Sequence, residues 1–244
     1  MDTNKNSYIF IYASVMVVIV AFLLAFVSST LSPIQQKNVE LDKKKQVLAA
    51  LNIFEKDAEA AYATYVKADQ LLNADGTVAT ENGGFKVENS AVSANQLPLY
   101  VCEVEGETKY VIPLYGAGLW GPIWGYVALN ADKETIYGVY FSHAGETPGL
   151  GAEITNRDKF QVPFIGKKAL NADGDVIISV VKNGKVQNPD FEVDGISGGT
   201  ITSQGVDAML KNSIGLYKAF LTQAKSACNA TCEHKCENQE VVNQ

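Results

Sequence analysis

The longest apolar segment of the chain lies near its N-terminus. No charged residue occurs from Asn6 to Gln36, and residues 8–31 read YIFIYASVMVVIVAFLLAFVSSTL. At a rise of about 1.5 Å per residue this segment would extend roughly 36 Å as a helix, more than a hydrocarbon core of about 30 Å. A signal peptide has a shorter apolar region of about 7 to 15 residues. The pattern therefore predicts an uncleaved transmembrane helix, with a cleaved signal peptide as the alternative.

Beyond Pro33 the spacing of apolar residues predicts two consecutive helices. Apolar side chains recur at near-helical intervals in residues 36–54, and residues 57–72 continue the helical pattern. The sequence Asn-Ala-Asp-Gly at residues 73–76 predicts a turn, and the polar residues 80–94 predict a loop.

The middle of the chain changes to a strand-like pattern. Segments rich in Val, Ile and Tyr are separated by turns, which predicts strands over residues 97–104, 109–115, 123–129 and 135–142. Residues 176–181 predict a further strand, and residues 152–160 and 204–223 predict helices. Because strands and helices occur in separate runs, we expect an α+β fold with a largely antiparallel sheet flanked by helices.

The charge balance excludes a nucleic-acid-binding function. The chain carries 27 acidic and 20 basic residues, a net charge of −7. Asp2 and Lys5 cancel, so the whole of this charge belongs to residues 37–244. Binding to phosphate backbones needs clustered Lys and Arg, and no basic run here exceeds Lys43–Lys45. The flanking charges do not decide the orientation of the apolar segment in a membrane.

The first candidate site is a segment rich in glycine and hydroxyl groups, DGISGGTITS, at residues 194–203. Adjacent glycines allow a ligand to approach the backbone closely, and the first turn of a following helix offers free N–H groups that suit a phosphate. The alternative is a flexible turn with a Ser or Thr N-cap.

This segment resembles the flavinylation motif of proteins that carry covalent FMN. The family pattern is Asp, two residues, Ser or Thr, Gly, Ala and then Thr or Ser, whose hydroxyl forms a phosphoester with FMN. Asp194, Ser197, Gly198 and Thr200 match it, with Thr200 as the acceptor. Gly199 replaces the usual Ala, and the loss of one methyl is expected to loosen the turn without blocking the phosphate.

Two further segments strengthen the resemblance. HAGETPGLG at residues 143–151 resembles the flavin-contacting loop of that family, and its Pro-Gly pair predicts a type II turn. GAGLWGPIWG at residues 116–125 contains a Trp that could stack on the flavin ring or plug the core. Lys182 follows a predicted strand and is expected either near the flavin or in solvent. The predicted cofactor-binding residues are Thr200, Asp194, Ser197, Gly198, Gly199, Ser203, Trp120, Glu146, Thr147, Gly149, Leu150 and Lys182.

Over nearly its whole length the chain resembles the C-subunit family of the Na⁺-translocating NADH:quinone reductase, which is related to the G subunit of the Rnf electron-transport complex. The resemblance implies a single-pass protein of the bacterial inner membrane whose soluble domain is periplasmic. It implies an electron-relay role with FMN as a covalent cofactor. The implied partners are the other subunits of the complex, a flavin transferase that uses Asp194, and membrane lipid.

The resemblance also suggests how the chain is divided. We expect a cytoplasmic N-terminus (1–7), a transmembrane helix (8–31), a helical membrane-proximal region (32–93), an FMN-binding domain (94–224) and a cysteine-containing tail (225–244). The rival hypotheses are an Rnf-type G subunit and, from another class, a membrane-tethered module that binds a phosphate-bearing ligand without redox chemistry.

The cysteines do not predict a metal site. Cys228, Cys232 and Cys236 repeat every four residues, which does not match C-x₂-C patterns, and Cys102 lies alone in a predicted strand. The chain also lacks the GxGxxG and P-loop patterns, so NADH is not expected to bind here. We predict no residue that acts as a catalytic acid, base or nucleophile in turnover.

Overall fold

The computed structural model describes residues 6–223, and the three clustered cysteines of the tail lie outside this range. The helices are α1 (Asn6–Ala50), α2 (Ala58–Tyr65) and α3 (Thr200–Leu216). The strands are β1 (Val66–Leu72), β2 (Val78–Thr80), β3 (Leu97–Val104), β4 (Glu107–Ala117), β5 (Pro122–Leu129), β6 (Ile136–His143), β7 (Ser179–Val181) and β8 (Glu192–Asp194). The described part of the chain divides into two compact units after Lys43.

The first unit consists of the N-terminal part of α1. The helix is continuous through Pro33, and it contains the uncharged segment predicted as a membrane span. Its apolar side chains are exposed over this segment; for example, Phe10 is 73% exposed and Leu24 66%. By length and composition, α1 is the one helix among residues 6–223 that could cross a membrane.

The end of α1 belongs to the second unit and stops at a Schellman motif. Asn52 has φ 59°, its N–H donates to Ala49 O at 3.0 Å, and the N–H of Ile53 donates to Leu48 O at 2.9 Å. An Asn in this left-handed position commonly ends a helix. The helix therefore ends four residues before the predicted position at Phe54.

The predicted helix over residues 57–72 is wrong beyond Tyr65. Asp57 caps α2 by accepting the N–H groups of Glu59 and Ala60 at 3.1 Å. Residues 66–72 then form β1, which pairs antiparallel with β3 from Val66↔Cys102 to Leu72↔Leu97. Backbone pairing with β3 thus prevails over a weak local helical pattern. Both β1 and β2 lie within residues 32–93, the membrane-proximal region that was predicted to be helical.

The α+β fold with a largely antiparallel sheet is confirmed. Within residues 6–223, six strands form a sheet in the order β2-β1-β3-β4-β5-β6, with every neighbouring pair antiparallel. The four strands predicted in the middle of the chain are β3 to β6, with ends shifted by no more than two residues. β7 and β8 form a separate parallel pair.

Both faces of the sheet are buried. Leu99 on β3 and Ile112 on β4 pack in a core cluster with Leu210 of α3. Alternate strand residues, which point to the other face of the sheet, pack with the end of α1; Tyr100, for example, lies in one cluster with Val47. Alternation along the strands therefore places α3 on one face and the end of α1 on the other.

The segment after β6 is less regular than predicted. Residues 152–160, predicted as a helix, form a 3₁₀ turn (Gly151–Thr155) followed by a single π turn (Arg157–Gln161). The last predicted helix begins at Thr200, four residues earlier than expected. α3 ends at Leu216, and after a turn at Tyr217 the chain is helical again over residues 218–223, as predicted.

Candidate functional site

Three loops meet at one end of the sheet. The turn between β4 and β5 covers residues 118–121, and β6 ends at His143, which pairs with Ile123 at the start of β5. The segment after His143 therefore lies beside that turn. The third loop joins β8 to the first turn of α3, at residues 195–199.

Glu146 joins the three loops. Its side chain is buried, with 5% exposure. Oε1 accepts the backbone N–H of Trp120 at 2.9 Å, and Oε2 accepts the hydroxyl of Thr202 at 2.7 Å. Its own N–H donates to His143 Nδ1 at 3.1 Å. One carboxylate thus bonds the β4–β5 turn to the start of α3.

Hydrogen bonding holds the pKa of Glu146 below its ordinary value. Burial acts against this, because it penalises the charged form. The hydroxyl of Thr202, the N–H groups of Trp120 and Leu119, and the nearby His143 together outweigh burial. The carboxylate is therefore ionised at neutral pH, and it accepts the hydroxyl of Thr202 and the N–H of Trp120.

Two glycines make room for this carboxylate. A Cβ added at Gly118 would overlap Glu146 Oε1. A Cβ added at Gly151 would overlap Glu146 Oε2 and Thr202 Oγ1. Close approach of the backbone on both sides is what brings the carboxylate within reach of its donors.

The turn predicted at Pro148-Gly149 is present. The N–H of Leu150 donates to Thr147 O at 3.1 Å, and Gly149 has φ 74°, the positive value that a type II turn needs at this position. The turn leaves Thr147 and Leu150 lining a cleft beside α3.

A second turn of this kind leads into α3. The N–H of Gly199 donates to Ile196 O at 3.1 Å, and Gly198 has φ 77°. A Cβ at Gly199 would lie 3.0 Å from Ile196 Cγ2 and 3.3 Å from Gly151 N, closer than ordinary contact. The methyl that this chain lacks at position 199 would therefore press on the neighbouring loop.

The first turn of α3 presents backbone N–H groups without a side-chain cap. The N-cap residue, Gly199, has no side chain, and the first helical bond runs from Ser203 N to Gly199 O at 2.9 Å. The N–H groups of Thr200, Ile201 and Thr202 precede this bond, as at any helix start. Such N–H groups, with the positive end of the helix dipole, form an anion-binding site.

Of the four hydroxyls in this segment, two are engaged and two are free. Ser203 Oγ accepts the N–H of Ile196 and donates to Gly199 O, both at 2.9 Å, while Thr202 donates to Glu146. Ser197 and Thr200 are exposed, and their hydroxyls have no hydrogen-bond partner among residues 6–223.

Thr200 lies between two clefts. The larger, about 210 Å³, is lined by Leu119, Glu146, Thr147, Leu150, Gly151, Gly198, Gly199, Thr200, Ile201 and Thr202. The smaller, about 90 Å³, is lined by Val180, Val181, Lys182, Asn183, Gly195, Ile196, Thr200, Ser203 and Gln204. Both are smaller than the roughly 300 to 1,000 Å³ of an enclosing ligand pocket. A ligand held at Thr200 would therefore remain partly exposed.

Of the remaining predicted site residues, Ser203 lines the smaller cleft, whereas Trp120, Gly149, Asp194 and Ser197 line neither cleft. Trp120 is 68% exposed and so does not plug the core. Lys182 lines the smaller cleft. Asp194 ends β8, and its Oδ1 accepts the N–H of Gly184 at 2.8 Å, so its carboxylate holds the turn that follows β7.

Sequence reasoning missed four residues that line the larger cleft. These are Leu119, Gly151, Ile201 and Thr202. All four lie within or beside the motifs already singled out, and that proximity was the available signal. The motifs do not reveal that Thr202, in α3, bonds to Glu146, which lies in a loop 56 residues earlier in the chain.

The residues present suit FMN. The open N–H groups and the free Thr200 hydroxyl match a phosphate. Apolar side chains border the larger cleft, with exposures of 49% for Leu119, 42% for Leu150 and 55% for Ile201. An aromatic ring system would cover such a surface, and exposed Trp120 would lie at its border.

Comparisons with known proteins agree with this site. The family model described as an FMN-binding domain matches residues 118–215, which include all three loops. The crystal structure of the C subunit of the Na(+)-translocating NADH-quinone reductase from Parabacteroides distasonis is 45% identical, with a TM-score of 0.74. The match covers 79% of this chain and 98% of that one.

Curated relatives extend the similarity over most of the chain. The C subunit of the Na(+)-translocating NADH-quinone reductase of Pasteurella multocida is 32% identical, covering 80% of this chain and 85% of the relative. The same subunit from Haemophilus ducreyi is 29% identical, covering 87% and 91%. The chain therefore belongs to the C-subunit family of the Na(+)-translocating NADH-quinone reductases.

Proposed function

We propose that this protein is the FMN-bearing electron-relay subunit of a membrane Na⁺-translocating NADH:quinone oxidoreductase, and that FMN is attached to Thr200 through a phosphoester. The FMN-binding domain match and the relatives' names support the electron-relay role. The observation that carries the attachment is the free hydroxyl of Thr200 beside the uncapped first turn of α3.

Each part of the site has a distinct task in this proposal. The N–H groups of the first turn of α3 hold the phosphate, with Gly198 and Gly199 allowing its approach. Thr147, Leu150 and Trp120 contact the ring, with Glu146 in the wall of the same cleft. Lys182 places a positive charge in the smaller cleft, which also contains Thr200. Bound FMN supplies reversible acceptance of electrons, and the protein positions it.

Attachment joins Thr200 Oγ1 to the FMN phosphorus. The Thr200 hydroxyl loses its proton and a hydroxyl group leaves the phosphorus as its P–O bond breaks, so that the net loss is one water. We infer that a flavin transferase performs this step and that Asp194 is needed for loading. A covalent bond suits a cleft too small to enclose the cofactor, because an exposed flavin would otherwise dissociate.

Intact mass spectrometry tests the attachment. The full chain co-expressed with a flavin transferase should gain the mass of FMN less one water and retain yellow colour after denaturation. Thr200→Val should abolish the gain. Thr155→Val removes an exposed threonine hydroxyl outside the motif and serves as the matched control, which should keep the mass gain.

The outcomes separate the rival hypotheses. A colourless denatured pellet from the wild-type chain would favour a phosphate-binding module. Retention of the mass gain in Thr200→Val would contradict Thr200 as the acceptor.

We also propose that α1 anchors the protein in the bacterial inner membrane, with the second unit in the periplasm. The uncharged, exposed apolar surface of residues 8–31 supports contact with lipid, and the relatives' names support other reductase subunits as partners. Protease added to spheroplasts should digest residues 44–223, whereas inside-out vesicles should protect them. The reverse pattern would contradict the orientation.

A further inference from the structure

Glu146 lines the larger cleft, but each of its carboxylate oxygens is already bonded to the protein. We propose that Glu146 is a positioning residue, whose carboxylate sets the spacing between the Trp120 loop and the first turn of α3. The consequence for the cofactor rests on the proposed function, because this spacing separates Trp120 from the attachment residue Thr200.

The carboxylate is built into the site. It is almost completely buried, and the backbones at Gly118 and Gly151 approach its two oxygens from opposite sides. Its donors come from two segments that are far apart in sequence, the β4–β5 turn and α3. A shorter side chain could not reach both segments, so the length of glutamate sets their separation.

The orientation of Trp120 depends on this bond. Its indole is 68% exposed and is therefore not fixed by the core. Its backbone is fixed instead, because its N–H donates to Glu146 and because Gly118 N–H closes the turn on Gly121 O at 2.8 Å. The preceding residue, Leu119, lines the cleft, and its backbone N–H is among the groups that lower the pKa of Glu146.

On the other side of the carboxylate, Glu146 bonds to Thr202, which lies in the same helical turn as Thr200. Thr202 is buried and lies two residues after Thr200 in α3. Because helix geometry is rigid over so short a distance, fixing Thr202 also fixes Thr200 and the N–H groups around it. Glu146 thereby bonds both to the helical turn that carries Thr200 and to the backbone of Trp120.

Hydrogen–deuterium exchange of the full, unloaded chain tests the bond without any flavin. In Glu146→Leu the amide of Trp120 loses its acceptor, and its exchange should accelerate by about tenfold or more. Glu146→Gln keeps an acceptor oxygen and should restore most of the protection. Glu153→Leu is the matched control, since Glu153 lies in the same segment but bonds only locally, to Asn156 Nδ2 at 3.0 Å.

The flavin-loaded protein tests the positioning role. Glu146→Leu should change the flavin fluorescence lifetime and the midpoint potential, because Trp120 no longer keeps its place relative to the ring. Glu146→Gln should restore both, and Glu153→Leu should alter neither. If Glu146→Leu does not fold, two other variants replace it in both measurements. Glu146→Asp has a side chain too short to reach both segments, and Thr202→Val removes one donor.

Two results would overturn the proposal. Unchanged exchange at the amide of Trp120 would mean that the bond does not hold the loop. Faster exchange with unchanged flavin properties would mean that Glu146 is only structural. Neither result depends on Thr200 as the acceptor, because the mass measurement tests that separately.

Discussion

The carboxylate of Glu146 and the hydroxyl of Thr202 form a buried 2.7 Å hydrogen bond between residues 56 positions apart in the sequence. This bond joins the loop after β6 to the first turn of α3. Stability and site geometry should therefore respond together when this contact is changed.

The stability of the fold should fall in acid partly through Glu146. Its pKa is lowered in the folded protein, so its contribution is fully present above the ordinary glutamate pKa near 4.5 and is lost as the pH falls through the lower folded value. Urea unfolding of wild type and Glu146→Gln at a series of pH values between 7 and 3 measures this. The wild type should lose stability more steeply below pH 4.5.

The decisive quantity is the difference between wild type and Glu146→Gln in the slope of the free energy of unfolding against pH. Other carboxylates with lowered pKa values, such as Asp132, titrate in both proteins and cancel in the comparison. Parallel curves would show that Glu146 does not contribute in this way.

Gly151→Ala should destabilise the protein and distort the site. The added methyl would overlap Glu146 Oε2 and Thr202 Oγ1, and overpacking of this kind costs about 1 to 3 kcal/mol. Gly145→Ala is the control, because nothing lies within 4 Å of its Cβ position. Equal urea midpoints for the two variants would contradict the close approach of the Gly151 backbone to Glu146 Oε2 and Thr202 Oγ1.

Ser203→Ala should cost more stability than Ser197→Ala. The hydroxyl of Ser203 accepts the N–H of Ile196 in a buried position, and its loss leaves that donor unpaired, at a cost of about 1 to 3 kcal/mol. Ser197 is exposed, so its replacement should change the free energy of unfolding by less than about 0.5 kcal/mol. Similar losses in the two variants would argue against a structural role for Ser203.

Cys102 should resist alkylation in the native protein. Burial raises the pKa of its thiol to about 12, so that little thiolate is present at pH 8. Peptide mass spectrometry after iodoacetamide treatment should find Cys102 unmodified in buffer and modified in denaturant. Replacing the three tail cysteines by serine removes the competing thiols, and rapid native labelling would contradict this expectation.

Local patterns were sufficient for the central strands and insufficient at two other places. β3 to β6 were predicted because each is an apolar run bounded by turn residues. Residues 66–72 are not such an apolar run, and pairing with β3 and β2 makes them a strand. The segment after Gly151 was predicted as a helix because its apolar spacing is helical, but the contacts of Glu146 and Thr202 at Gly151 constrain its backbone.

The amino-acid sequence by itself determined the apolar span, the positions of the central strands along the chain and the motifs around Thr200, Gly149 and Trp120. These features depend on neighbouring residues, whose spacing and chemistry are visible in one dimension. Only the tertiary structure decided that Glu146 bonds to Thr202, that Thr200 lies between two clefts, and that Gly118 and Gly151 enclose a carboxylate. Such contacts join loops that strand register and helix packing bring together, and no local pattern encodes their distances.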